Sequence, residues 1–200
     1  EWLSEVDEDA QLIGVGGSCR SLARISKAMK KSPYTIVHNY HIPTDDFNVI
    51  YNTIKGLDLD KKKRLKGVSS NRADILSSAL AAVNSIIRYK NFNEIVIGGC
   101  GLREGIMFNY AMPMTIEKPI SDVLTYSLKT LIKYYNCNEK HVEQVMNISV
   151  QLFKQLRVLH KFPRPYLRIL KVAAYLHDSG TSIKYYDYQK HSSYIILNAA

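Results

Sequence analysis

Apolar and polar positions follow two rhythms along this chain. In residues 11–30, QLIGVGGSCRSLARISKAMK, the apolar run Leu12-Ile13-Gly14-Val15 breaks on Gly16-Gly17 and gives way to Leu22, Ile25 and Met29 at helical spacing. That order predicts a short buried strand, a glycine turn, and a helix with Ser18 as its N-cap. Past Pro43, Thr44 is the predicted cap of a second helix with the face Phe47, Ile50, Tyr51 and Ile54, ended by Gly56. The stretch 57–67, LDLDKKKRLKG, carries charge without a stripe and reads as a solvated connection. Leu76, Leu80, Val83 and Ile87 mark a third helix, which feeds a strand at 94–98 ending in Gly98-Gly99-Cys100-Gly101. Strands separated by helices predict a parallel α/β layer.

The strand rhythm stops at Pro113 to Pro119, which reads as a boundary. Beyond it Ser121 is the predicted cap of a helix striped by Leu124, Leu128, Leu131 and Tyr135. Asn138 is the cap of another, with Val142, Val145, Ser149, Leu152, Leu156 and Leu159. Pro163 and Pro165 punctuate, Pro165 suiting a first helical position, and a further helix carries Leu170, Ala173 and Ala174 into YLHDSG. The predicted fold class is therefore α/β followed by all-α, with domains at 1–112 and 113–200 and no internal repeat.

Composition sharpens this only in part. Two hundred residues, 46% of them hydrophobic, suffice for a sizeable core. The net charge of +9 favours polyanionic partners or, equally, describes an ordinary solvated surface. The excess is uneven: residues 151–200 hold eight Lys/Arg against two acids, whereas the first ten hold five acids and no base. Cys19, Cys100 and Cys137 are odd in number and widely spaced, so they read as free thiols in a reducing compartment. With no long apolar span and no signal-like N-terminus, the expectation is a cytoplasmic chain without membrane contact. The start at Glu1 and the stop inside an apolar helical pattern suggest a piece of something longer.

The two glycine turns carry the first candidate chemistry. Gly16-Gly17-Ser18 opens a helix whose first-turn amides lack intrahelical partners, which suits an anion. Gly98-Gly99 ends a strand, where ligands lodge in open α/β sheets. Each is also simply what a tight strand-to-helix turn needs. Arg72 and Asp74, at the expected start of the third helix, are either an exposed salt bridge or an arginine reaching toward phosphate oxygens. Arg103-Glu104, hard against Gly101 and followed by Gly105, is either the internal clamp of the turn or a phosphate-facing arginine steadied by its neighbour.

These segments together resemble the exopolyphosphatase / guanosine pentaphosphate phosphatase family of the actin-like ATPase superfamily. IGVGGSCRSLARI is similar to the family's G-x-G-G-T-x-x-x-L-A-x-I, with Ser18 in place of Thr; NRADIL resembles R-x-D-x-I at Arg72 and Asp74. IVIGGCGLREG is close to G-x-L-R-E-G at Gly99, Leu102, Arg103, Glu104 and Gly105, and residues 173–200 resemble its helical HD-type domain. The resemblance implies a partial actin-like (ribonuclease-H-like) half-domain with parallel strands, then the start of an HD-like helical domain. It implies hydrolysis of terminal phosphates of polyphosphate or guanosine pentaphosphate with Mg²⁺. It also implies phosphate contacts at Gly16, Gly17, Ser18, Arg72, Asp74, Gly98, Gly99, Arg103, Glu104 and Gly105. The family's catalytic glutamate and D-x-G hairpins have no counterpart in residues 1–200. No catalytic residue is therefore assigned here, and the chain alone is expected to be inactive.

A second set is His141, His177, Asp178 and His191, similar to the metal ligands of HD phosphohydrolases. The alternative is that His177 and Asp178 bond to each other and cap a helix. HDSG departs from the usual H-D-I-G, and YQKHS lacks the first His of H-H-x-H-S. His38, His41 and His160 read as structural or surface residues. Other functions left open are a non-catalytic polyphosphate- or nucleotide-binding module, a homodimer contact in the helical part, and an independent HD-type metallo-phosphohydrolase. No specific nucleic-acid-reading module is recognisable.

Overall fold

The computed structural model describes residues 2–7, 9–111, 120 and 122–198. The chain divides into two compact units, residues 1–113 and 114–200.

The first unit is built on three strands: β1 (Ile13–Val15), β2 (Tyr40–Pro43) and β3 (Glu94–Gly98), in the order β1-β3-β2. β1 runs parallel to β3, with Val15 opposite Gly98, and β2 runs antiparallel to β3, with Ile42 opposite Ile95. The sheet is therefore mixed, which corrects the all-parallel expectation. β2 escapes the pattern because only Ile42 of its four residues is fully buried, with Tyr40 partly so beside the core, and Pro43 ends it, as suits an edge strand. Backbone bonds fix it there: Asn39 N–H donates to the Ile97 carbonyl (2.8 Å) and Thr44 N–H to that of Asn93 (2.8 Å). β3 is the central strand, with Ile95, Val96 and Ile97 all buried, as a strand covered on both faces requires. β1 is not the buried strand expected. Only Gly14 is covered, while Ile13 and Val15 are more than half exposed on an outer edge.

Three helices pack against this sheet: α1 (Gly17–Met29), α2 (Thr44–Lys55) and, following a short α3 (Leu59–Arg64), α4 (Leu76–Lys90). Their stripes meet as read: Leu22, Ile25, Phe47, Ile50, Ile54, Leu76, Leu80 and Ile87 close on Ile42, Ile95 and Ile97 in one core. Each large aliphatic so buried contributes about 1.5–3 kcal/mol. Met29 lies outside it, exposed. α3 corrects the reading of 57–67 as loop. The Asp58 carboxylate accepts the Lys61 amide (2.8 Å), and the lysine run behind this cap is helix-competent although none of it is buried. Thr44 is the first residue of α2 rather than its cap. Its hydroxyl donates to the Phe92 carbonyl (2.6 Å).

After β3, α5 (Leu102–Ala111) buries none of its residues. The second unit comprises α6 (Val123–Tyr134), α7 (Glu139–Gln155), α8 (Arg157–His160), α9 (Pro165–Leu176) and α10 (Tyr188–Asn198). The expected boundary at Pro113 to Pro119 and the Ser121 cap lie outside the described residues; Asp122 caps α6, accepting from the Thr125 amide and hydroxyl. Asn138 caps α7 as expected, accepting the His141 amide at 3.2 Å, and Pro165 is the first residue of α9. The long stripe expected through Leu159 splits, because α7 ends at Gln155 and leaves Leu152, Leu156 and Leu159 exposed. Among the described residues no helix is long and apolar enough to cross a membrane.

Candidate functional site

Parallel pairing of β1 with β3 sends both glycine turns off the same edge of the sheet. Gly16 makes the first turn at φ 107°, in the left-handed region, where a side chain would strain the backbone. A Cβ built there meets nothing within 4 Å, so the space in front of Gly16 is open. α1 starts at Gly17 with no side-chain cap. Ser18 is thus not the N-cap but the second residue of the helix, and its amide belongs with those of Gly17 and Cys19 to an uncapped first turn. Onto this turn folds Arg72, the last residue of a 3₁₀ turn (Ser70–Arg72), with its guanidinium against Gly17: a Cβ on Gly17 would fall 2.6 Å from Arg72 Nε. Arg72 and Asp74 precede α4 rather than open it. No Arg72–Asp74 ion pair forms among the described residues, and Asp74 is exposed.

The second turn is less bare than its three glycines suggest. Gly99 N–H donates to His38 Nδ1 at 3.1 Å, and a Cβ on Gly99 would fall 2.8 Å from His38 Cβ. Gly98 faces Val15, with a Cβ position 3.1 Å from Cγ2. Arg20, on α1, donates from Nη1 to the Gly99 carbonyl (3.3 Å), tying the two turns together. His38 arrives on a loop strapped by Lys27. The Lys27 ammonium donates to the Ile36 carbonyl, lies 3.5 Å from that of Tyr34, and sits 4.6 Å from the Tyr40 ring centroid. Burial pushes the Lys27 pKa down.

Glu104 reaches back three residues to accept the Gly101 amide (2.7 Å), a capping-box clamp at the start of α5. Its own amide and that of Gly101 hold its carboxyl below the usual range. Gly105 N–H donates to the Gly101 carbonyl (3.0 Å), so it is committed within the helix rather than offered to a ligand. Arg103 is exposed. Gly16, Gly17, Ser18 and Arg72 therefore gather at one open point, whereas Gly99, Glu104 and Gly105 have their polar groups internally engaged. Arg20 and His38 escaped the sequence reading. Arg20, three residues after Gly17 on α1, carried a usable signal; His38 carried none. The Mg²⁺ that the resemblance implies finds only Glu104 as a described carboxylate on these turns, already held by amides, so these residues do not fit a metal site. Cys19, whose Sγ lies 2.9 Å from a Cβ built on Gly14, has its pKa raised by burial and is a poor nucleophile.

In the second unit the histidine set is partly assembled. His141 Nε2 lies 3.5 Å from Asp178 Oδ2 and His177 Nε2 lies 3.6 Å from Asp178 Oδ1, with the two imidazole centroids 5.4 Å apart. His191 is not in this group. α10 brings Ser192 to the turn instead: Ser192 Oγ donates to the His177 carbonyl (2.7 Å) and accepts the Gly180 amide (2.8 Å), while His191 Cβ packs beside Gly180. Burial, with the Asp178 charge adding, raises the Cys137 pKa.

The model of the Ppx/GppA phosphatase family matches residues 2–112, and that of Ppx/GppA phosphatase domain III matches residues 123–200. The chain is 29% identical over 136 residues to a guanosine-5'-triphosphate,3'-diphosphate pyrophosphatase of Aeromonas salmonicida, covering 68% of this chain and 27% of that protein. It is 27% identical over 157 residues to the enzyme of that name from Pseudoalteromonas translucida, covering 76% and 29%. The chain thus spans about a quarter of the length of the curated relatives it matches. The crystal structure of the Aquifex aeolicus member of the Ppx/GppA protein family superposes with a TM-score of 0.50 at 18% identity, over 58% of this chain and 39% of that one, a likeness of fold.

Proposed function

The chain belongs to the Ppx/GppA phosphatase family, and from that premise we propose that it forms one wall of a cleft for linked phosphates. In the whole protein that cleft hydrolyses terminal phosphates of inorganic polyphosphate or guanosine pentaphosphate. The observation that carries this reading is the Arg72 guanidinium held against Gly17, at the uncapped start of α1 beside the open space at Gly16. Unpaired amides, the positive end of a helix dipole and a guanidinium converge there, a combination suited to phosphate oxygens.

This wall grips rather than cleaves. Turnover rests on the Mg²⁺ and the catalytic glutamate that the family resemblance assigns to other parts of the protein. Taken by itself, the helical unit, proposed as an HD-like domain over 113–200, exposes Lys154, Arg157, Lys161, Arg164, Arg168 and Lys171, cations suited to a polyanion.

Calorimetric titration of the chain with tripolyphosphate at fixed ionic strength tests the reading, alongside phosphate release by the full-length protein with Mg²⁺. Binding that weakens about tenfold or more in Arg72→Ala is expected, at about 1.4 kcal/mol per tenfold. Equal binding by the variant, or full-length protein inert on both substrates, overturns it.

A further inference from the structure

One side-chain group in the helical unit plays no part in gripping phosphate. His141 stands in the first turn of α7, and His177 and Asp178 directly follow α9; one ligand atom from each lies within 4.8 Å of the others. We propose that His141, His177 and Asp178 bind a divalent transition-metal cation of the zinc type, through both Nε2 atoms and the Asp178 carboxylate.

The tautomer of His177 is the first reason. Its Nδ1 lies 2.8 Å from the Ala174 carbonyl, which can only accept, so Nδ1 carries the proton. In the neutral ring this turns the Nε2 lone pair toward the Asp178 carboxylate, two electron-rich atoms 3.6 Å apart. A cation between them removes the conflict. A backbone carbonyl holding the distal nitrogen is also the outer-shell arrangement that orients metal-binding imidazoles.

Spacing is the second reason. A protonated histidine bonded to a carboxylate closes to about 2.7–2.9 Å. Both contacts here, 3.5 and 3.6 Å, are longer than that. His141 Nε2 faces Oδ2 and His177 Nε2 faces Oδ1, each at about the 3.3–3.6 Å that separates two ligands at tetrahedral angles on zinc with bonds of about 2.0–2.2 Å. Two imidazoles with one carboxylate suit zinc and its neighbours better than magnesium, which prefers oxygen.

The frame around the group is tied down. Ser192 Oγ donates to the His177 carbonyl (2.7 Å), Thr181 Oγ1 to the Asp178 carbonyl (2.7 Å), and Ser179 Oγ to that of Leu176 (2.7 Å). His141 is half exposed and His177 and Asp178 largely covered, so a bound ion keeps a position open to solvent on the His141 side. Three protein ligands and one open position are the pattern of zinc sites that take up an exogenous ligand.

The test uses the full 200-residue chain with Zn²⁺ alone, followed by Co²⁺ for its visible spectrum. The expected result is one tightly held Zn²⁺ per chain, unaffected by millimolar Mg²⁺, and Co²⁺ bands of low coordination number. Loss of an outer-shell partner costs 10–100-fold in affinity, so His141→Ala is expected to cost at least about 100-fold. Asp178→Asn carries the same comparison should His141→Ala not fold. His191→Ala and Cys100→Ser, outside the group, keep the ion. Failure to bind Zn²⁺, or equal affinity in folded His141→Ala or Asp178→Asn, overturns the proposal and leaves the phosphate wall untouched.

Discussion

The amide of Gly99 donates to Nδ1 of His38 across 61 positions of sequence, at 3.1 Å. The second glycine turn is thereby closed by a side chain from a loop that Lys27 straps in place. Replacing His38 by alanine uncovers the Gly99 amide at the cost of one hydrogen bond, about 0.5–1.5 kcal/mol. Tripolyphosphate should then bind about two- to fivefold more tightly to His38→Ala, a gain of up to about 1 kcal/mol, read by calorimetry at constant salt. Weaker binding would mean that the imidazole itself contacts the phosphates.

At the first turn the expectation reverses. The nearest atoms to a Cβ on Gly17 all belong to the Arg72 guanidinium, the far end of a flexible side chain, so Gly17→Ala is expected to displace the arginine without breaking the fold. Phosphate affinity should fall about tenfold, or about 1.4 kcal/mol, while the thermal midpoint moves little. A large drop in midpoint together with affinity would make the glycine a folding requirement instead.

Gly180 faces the opposite situation. A Cβ there runs into the Tyr188 carbonyl and the Ser192 amide, which are backbone and cannot swing aside. Gly180→Ala should destabilise the helical unit by about 3 kcal/mol or more, through overpacking. Ser192→Ala, which leaves the buried Gly180 amide without its acceptor, should cost about 1–3 kcal/mol. Urea melts followed by circular dichroism measure both.

Acid should weaken the fold through its caps. Asp122 is held below the usual carboxylate range by the Thr125 hydroxyl and amide, and Asp58 by the Lys61 amide and ammonium; Glu104 is lowered by its own amide and that of Gly101. With folded pKa values below the unfolded ones, their contribution is complete above the unfolded values, about 4. It is lost as pH falls through the folded ones. The thermal midpoint should therefore fall below about pH 4, and less steeply in Asp122→Asn, whose amide oxygen still accepts but does not titrate.

What the sequence disclosed follows from how local each signal is. The faces Phe47-Ile50-Ile54 and Leu76-Leu80-Ile87 were legible because burial there repeats at helical spacing. Asn138 and Pro165 were legible because caps are local chemistry. β2 was not, since four residues with one fully buried side chain, Ile42, and one partly buried, Tyr40, are too few for a periodicity. The end of the α7 stripe was hidden too, because exposed Leu152, Leu156 and Leu159 imitate a buried face. At the candidate site, residue type and order singled out Gly16, Gly17 and Arg72, which the fold brings together at the start of α1. The engagement of Gly99 by His38 depends on a loop held by Lys27, a long-range contact that spacing does not encode.

The outer margin of β1 has a consequence for how this chain behaves in solution. Two of its three residues, Ile13 and Val15, flank the central Gly14 and stand more than half exposed, with no described strand alongside. A strand laid there gains backbone pairing and greasy contact in one step. That margin therefore has both the unpaired backbone and the apolar side chains that one further strand would need.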